Sequence, residues 1–517
     1  MMISEHSGHR HRRSDLTDQK QIKRDRIIEF IFLITVFGAE MSLAAVQMFG
    51  HPPDEFARFE VVYYIFKNAK LPTGYEIEVQ IGGYGGSYAF QPILTYIIQG
   101  YLMRFVHLFT ENIYILVLSA RMVNCVFGVI MAYYVRRISC LLWKDRSLSW
   151  LFTCLIAFLP ENIFIHSYIN TDSMAAMGIA VIIYAMLKGE NDDYEKKTMI
   201  TLAVGVSLVA LSYYNAYPAI LIALFAFILH FRRNKSYKTM WKKMGFIVLL
   251  VFLMCGWWFI RTGIIYDGDF LGLSARSKAT LEQASAEFNP LTKKTYYNTG
   301  RSIMDLLKSG YLTKVYHSFI CTMGAMDLYT NVNFYRIDKI LLAIGIIFCL
   351  LPIKDHVIFG SDHKSRSAEF GHKDDKEVMT GESAHRYAAD PIRRTITVLF
   401  AFDVMMTVLM HLMYSYAFDY QPQGRYLLPM LISAMYFITL GADKLGNFAA
   451  ARFSGDSKTK VQKITVLVRY LLIAYILFSL IYALYFCVLP YYRSTMQEMK
   501  YISNVTFMQY LPQPMKY

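Results

Sequence analysis

The chain has 517 residues, of which 55% are hydrophobic, 15% aromatic and only 18% charged, too little charge to clothe a soluble enzyme of this length. Its formal net charge of +14 would suit a nucleic-acid partner, but the Lys and Arg residues cluster in short loops between apolar runs, so the excess reads as a membrane orientation signal and no nucleic acid is implied. Several windows of about 18 or more residues are nearly free of charge, the length that crosses a bilayer as a helix, whereas a β-barrel would show short alternating segments.

In chain order, residues 1–26 read as a basic cytoplasmic tail (His9, Arg10, His11, Arg12, Arg13), too long and polar for a signal peptide. Ile27 to Phe49 is the first span, running outward, and Glu40 within it either faces the bundle interior or a polar cavity, or snorkels to the outer edge. His51-Pro52-Pro53-Asp54-Glu55 follows at once. Two adjacent carboxylates at a membrane boundary are costly and point to binding or proton transfer, although the prolines ending one helix and the acidic pair capping the next would fit the same spacing. Phe56, Phe59, Val62, Tyr63 and Phe66 recur at helical spacing, which predicts a helix over residues 54–69 lying in the interface. The glycine-dense run Ile81 to Tyr88 is either a plain linker or a loop whose backbone approaches a ligand, and it lacks the strand of a dinucleotide fingerprint.

Charge decides the rest of the topology. If Phe90 to Val106 crossed the membrane, Arg136, Arg137, Lys144 and Arg146 would lie outside, so it is read as a juxtamembrane helix and Ile113 to Val135 as the inward span. The later spans are Leu148 to Ile165, Ser173 to Leu187, Thr198 to Tyr214, Ala219 to Phe231, Gly245 to Ile260, Ile340 to Ile353, Thr395 to Tyr416, Tyr426 to Gly441 and Ile464 to Leu489. The expected fold is therefore all-α, a polytopic plasma-membrane protein with about eleven transmembrane helices and a cytoplasmic N-terminus. Outer loops fall at 50–112, 166–172 and 261–338, a disordered cytoplasmic loop at 354–394, the C-terminal spans at 395–489 and an outer tail at 490–517. The seven cysteines form no CxxC pair, and the histidines of the 354–394 loop show no ligand spacing, so no disulfide framework or zinc site is expected.

Four polar sites then share the outer face: Asp54-Glu55, the turn His166 to Asp172, the loop from Arg261 to Asp338, and Gln423-Gly424-Arg425-Tyr426. A carboxylate can act as general base on a hydroxyl and an arginine can hold a phosphate through two hydrogen bonds, so their joint placement suggests group transfer from a phosphorylated lipid. Taken singly, capping would explain Asn170-Thr171-Asp172 and a snorkelling anchor would explain Arg425.

The succession of hydrophobic helix, Pro52-Pro53-Asp54-Glu55, amphipathic helix, juxtamembrane helix (Ser87 to Arg104), Arg121-led helix, Asn170 to Asp172 turn and Gln423 to Pro429 (QGRYLLP) resembles the GT-C superfamily of integral-membrane glycosyltransferases. The likeness covers roughly residues 27–440 and is greatest to a bacterial branch. It implies a polyprenyl-phosphate sugar donor, a glycan, lipid or protein acceptor of the cell envelope, and transfer with inversion at the outer face. It implies that Asp54 acts on the acceptor hydroxyl with Glu55 as its neighbour, that Asp172 is the second acidic residue, and that Arg425, with Tyr426 beside it, meets the donor phosphate. Arg58 stands where many members carry a His, and Ser318-Phe319 through Gly324 resembles a loop element of the same branch, with Met323 in the place of an aromatic. Arg261, His166, Asn170 and Gln423 complete the expected substrate-binding set. A divalent cation, Mg or Mn, could assist between Asp54 and Asp172, although no ligand cluster in the sequence requires one. The alternatives are a lipid-linked sugar flippase or transporter, which should show internal repeats, and a glycan polymerase or ligase, which would rely more on basic outer loops.

Overall fold

A computed structural model describes residues 5–353, Asp355 and residues 391–493, with side chains from residue 23 onward. The helices in chain order are α1 (Glu5–Val46), α2 (Glu55–Asn68), α3 (Leu94–His107), α4 (Ile113–Leu142), α5 (Arg146–Ala157), α6 (Pro160–Ile165), α7 (Asp172–Asp192), α8 (Lys196–Ala210), α9 (Pro218–Arg233), α10 (Tyr237–Ile265), α11 (Leu273–Gln283), α12 (Ile303–Leu306), α13 (Leu312–Cys321), α14 (Val332–Leu350), α15 (Pro391–Ala417), α16 (Leu431–Ala450) and α17 (Gly455–Tyr482). A two-residue hairpin, Thr322–Met323 against Leu328–Tyr329, is the one sheet among the described residues. Helix prevails because a backbone in hydrocarbon must satisfy its polar groups within its own segment.

Among the described residues, eight helical stretches are long and apolar enough to cross a membrane: Lys23–Val46, Ile113–Leu142, Asp172–Asp192, Tyr214–Arg233, Tyr237–Ile265, Pro391–Ala417, Gly424–Ala450 and Gly455–Arg493. The chain is thus a helical, multi-pass membrane protein, and the faces of α10 and α17 that expose Val248, Phe252, Leu253, Leu467, Leu471 and Phe478 suit lipid. Three of the expected spans depart from a single long apolar helix, each for a local reason. Leu148 to Ile165 is broken between α5 and α6, where Pro160 opens the second piece at its first position. The α8 helix has 15 residues, about 22 Å at the usual rise. The α14 helix starts earlier than expected, at Val332, and so takes Arg336, Asp338 and Lys339 into its first half.

Two further boundaries move. The first helix reaches back to Glu5 through the expected basic tail, and the stretch 261–338 is largely helical, holding the end of α10, then α11 to α13 and the start of α14. The expected disordered loop lies outside the described residues except at its ends, as does the tail beyond residue 493. The first loop carries two short helices: α2 and α3 have 14 residues each and pack on one another, Gly100 of α3 standing against Ile65 of α2.

Helices α1 and α4 run antiparallel. Glu29 of α1 pairs with Arg136 and Arg137 at one end, while Arg121 donates to the Ala44 and Gln47 carbonyls at the other. The most enclosed of the eight long helices, α7, is crossed closely by α8 because Gly178 and Gly205 leave room for Val209 and Ile182. Helices α14 and α16 meet in the same way, a Cβ on Gly441 overlapping the Gly345 carbonyl. Gly441→Val should therefore push these helices apart and cost at least about 1–3 kcal/mol. A thermal melt in detergent checks this, with Gly245→Val, at a position where nothing approaches the added Cβ, as the control expected to melt like wild type.

Candidate active site

The loop after α1 turns at Gly50 (φ +78°) and passes through His51-Pro52-Pro53 to Asp54. Asp54 stands at the N-cap of α2 in the left-handed region (φ 62°, ψ 3°) and its side chain makes no capping bond, so capping does not account for it. The next residue turns the other way. Glu55 is fully buried and accepts from Arg121 Nε (2.8 Å) and Nη2 (2.7 Å), from the Gly50 N–H (2.9 Å) and from the Ile169 N–H (3.1 Å). Both its oxygens are committed, which removes Glu55 from the expected catalytic set and makes it the fastener between α1, α2, α4 and the turn before α7.

Asp54 faces a cluster instead. Its Oδ2 accepts from Arg425 Nη2 at 2.7 Å and lies 3.8 Å from Arg58 Nη2. Arg58, one turn further along α2, donates through Nη1 to Asp172 Oδ2 at 2.9 Å, with its guanidinium 5.2 Å from the centre of the Tyr88 ring. Arg425 also reaches the Tyr168 hydroxyl (3.3 Å) and the Tyr426 hydroxyl (3.1 Å). Exposure ranks the group: the side chain of Asp54 is 39% exposed, that of Asp172 11%, and those of Arg58 and Arg425 3% and 2%. Asp54 is thus the carboxylate a ligand can reach. Its burial would raise the pKa, but the charges of Arg425 and Arg58, with the hydrogen bond from Arg425, hold it below its ordinary 3.8.

Glycine places Arg425. The Gly424 N–H donates to Ser318 Oγ (2.8 Å), and a Cβ there would overlap the Phe319 backbone, so only glycine lets residues 424–430, a 3₁₀ segment, lie on α13. The Ser318-Phe319 element singled out in the sequence is therefore the bed of the Gln423 to Pro429 motif.

The structure brings Asp54, Arg58, Asp172, Arg425 and Tyr426 together and assigns the other expected residues elsewhere. Asn170 serves as a cap, accepting the Ser173 N–H (2.9 Å) and donating to the Ile165 and Tyr168 carbonyls. His166 is fully buried between Ser173 Oγ (2.5 Å) and Met131, and burial pushes its pKa down to about 3, so it is a neutral core histidine with no access to a substrate. Arg261 donates to the Leu71 and Pro72 carbonyls and lies over Trp258, which ties α10 to the loop after α2 and keeps it out of the cluster. Gln423 belongs to a polar chain beside the cluster: Lys293 pairs with Asp419 (2.6 Å), Gln421 donates to Asp419 (2.8 Å), and Gln423 donates to Gln421 (2.7 Å). Sequence reasoning missed the roles of Tyr88, Tyr168 and Arg121.

A divalent cation is poorly served. The space between Asp54 and Asp172 belongs to Arg58, and among the described residues no group of three or more His, Cys, Asp or Glu could hold a metal ion.

Comparison with known families gives one match: a model described as a predicted membrane protein (DUF2142) covers residues 50–286. That range takes in Asp54, Arg58, Tyr88, Arg121 and Asp172 and stops short of Arg425. No curated protein matches the chain.

Two outcomes follow from this geometry. Arg121→Met strands a buried carboxylate and should cost about 3–5 kcal/mol in thermal unfolding, a loss that adding Glu55→Gln partly recovers. Because the Asp54 pKa is depressed by folding, its ion pairs contribute above pH 3.8 and are lost only as pH falls through the lower folded value. The melting difference between wild type and Asp54→Asn should hold from neutral pH down to 3.8 and close below it.

Proposed function

We propose that this protein is a membrane glycosyltransferase that moves a sugar from a polyprenyl-phosphate donor to a hydroxyl of a cell-envelope glycan, lipid or protein, with inversion, at the outer face of a plasma membrane. The observation that carries the reading is the exposed Asp54 carboxylate 2.7 Å from the buried Arg425, a potential base and a phosphate ligand converging from opposite ends of the sequence. Orientation follows from charge: Arg136, Arg137, Lys144, Arg146, Lys188, Arg232 and Arg233 lie at the far ends of their helices, and the positive-inside bias puts that end in the cytoplasm. On this reading α5 with α6, α8 and α14 also cross, which with the eight long spans makes about eleven.

In the reaction the acceptor O–H gives its proton to Asp54 as the oxygen bonds to the anomeric carbon. The bond from that carbon to the phosphate oxygen breaks, and its electron pair leaves with the phosphate. Arg425 meets the charge that develops there, in a nearly dry setting where preorganised donors act most strongly. The same guanidinium holds Asp54 before the donor arrives, so donor binding also releases the base.

An observation favouring a transporter is Glu40, buried in α1 against Gly128 with both oxygens unpartnered among the described residues. One assay separates the two: proteoliposomes given a panel of polyprenyl-phosphate sugars and an envelope extract. Asp54→Asn should lower transfer by about 10²–10⁴, with Glu40→Gln sparing it. Sugar crossing the bilayer without transfer, abolished by Glu40→Gln and indifferent to Asp54→Asn, would favour transport instead.

A further inference from the structure

Two carboxylates on facing segments, Asp54 before α2 and Asp172 at the start of α7, are the oxygen donors a divalent cation would use. Here a side chain stands between them. One terminal nitrogen of Arg58 faces Asp172 Oδ2 at 2.9 Å and the other faces Asp54 Oδ2 at 3.8 Å. We propose that Arg58 is a tethered substitute for a divalent cation, so that this centre operates without Mg or Mn.

Three observations carry the proposal. The first is occupancy. A cation bonding these oxygens at about 2.0–2.6 Å would have to displace a guanidinium whose side chain is 3% exposed and which is stacked on Tyr88. The second is charge. Asp54, Asp172 and Glu55 are met by Arg425, Arg58 and Arg121, one arginine to each carboxylate, so an added double positive charge would be uncompensated in a largely buried setting. The third is rigidity. Arg58 sits one helical turn after Asp54, so the cation is delivered by the same helix that presents the base, at no cost in capturing an ion.

Arg58 supplies what an ion between two carboxylates would supply: it neutralises Asp172 and fixes the Oδ2 side of Asp54. It supplies no open coordination position. Arg58 is a positioning residue, acting on the acceptor through Asp54, and that last step rests on the glycosyl-transfer reading; the substitution of arginine for metal does not.

The test is therefore a metal titration and involves no transfer assay. Mn²⁺ is added to purified wild type, Asp172→Asn, Arg58→Lys, Arg58→Ala and Arg58→Ala/Asp172→Asn in detergent, and the free ion is followed by electron paramagnetic resonance. Wild type and Arg58→Lys should take up no more Mn²⁺ than Asp172→Asn. Arg58→Ala should gain binding, and lose it again when Asp172→Asn is added. Mn²⁺ held by wild type and released by Asp172→Asn overturns the proposal, as does a folded Arg58→Ala protein that gains none. If Arg58→Ala does not elute as a folded species, the comparison of wild type with Asp172→Asn decides.

Discussion

The Glu55 carboxylate receives four hydrogen bonds from three segments, two from Arg121 of α4 and one each from the Gly50 and Ile169 backbones. Arg121 in turn satisfies the Ala44 and Gln47 carbonyls, which lie in the last turn of α1 and just beyond it, where the helix runs out of partners of its own. A buried ion pair earns its desolvation cost only when every lone pair and proton is used, and here the use is geometric: it fixes where α1 ends, where α2 begins and where the 168–170 turn lies. With Glu55 drawn inward and Asp54 in a left-handed conformation, the neighbouring carboxylates face opposite ways.

Environment then divides their labour. Glu55 has no free oxygen and no solvent; Asp54 has solvent on one side and two guanidiniums on the other. The arginines are held as tightly as the carboxylates, Arg58 under Tyr88 and Arg425 among Tyr168, Tyr426 and the Gly424 contact with α13. Such a site is preorganised around charge, and its one loose member is the residue that would exchange protons.

The same physics explains what the sequence disclosed. Asp54, Asp172 and Arg425 were legible as a group because the topology expected from charge puts all three at helix ends on one side of a bilayer, whatever their separation in the chain. The short α2 was legible from apolar residues at helical spacing, and α3 from charge bias. His166 and Arg261 misled because a polar side chain at a helix end is satisfied as readily by a nearby hydroxyl or carbonyl as by a ligand, and the sequence does not say which. Arg121 was visible only as the head of a helix, since its partner lies across a packing interface 66 residues away. Two of the expected spans are not single long apolar helices, because Pro160 breaks one and because α14 takes in Arg336, Asp338 and Lys339, features that blur a hydropathy reading without stopping a chain from crossing. Glu40, for which two placements were open, turned inward against Gly128.

The proposed reaction shares Arg425 between Asp54 and the donor's phosphate, so on that proposal the two compete for one guanidinium. The most direct measurement is the binding of a sugar-free polyprenyl phosphate to wild type, Asp54→Asn and Arg425→Gln protein in nanodiscs. Shared use predicts tighter binding by Asp54→Asn than by wild type, because the guanidinium no longer has to leave a carboxylate, and loss of binding by Arg425→Gln. Binding that weakens in Asp54→Asn or survives in Arg425→Gln would contradict it.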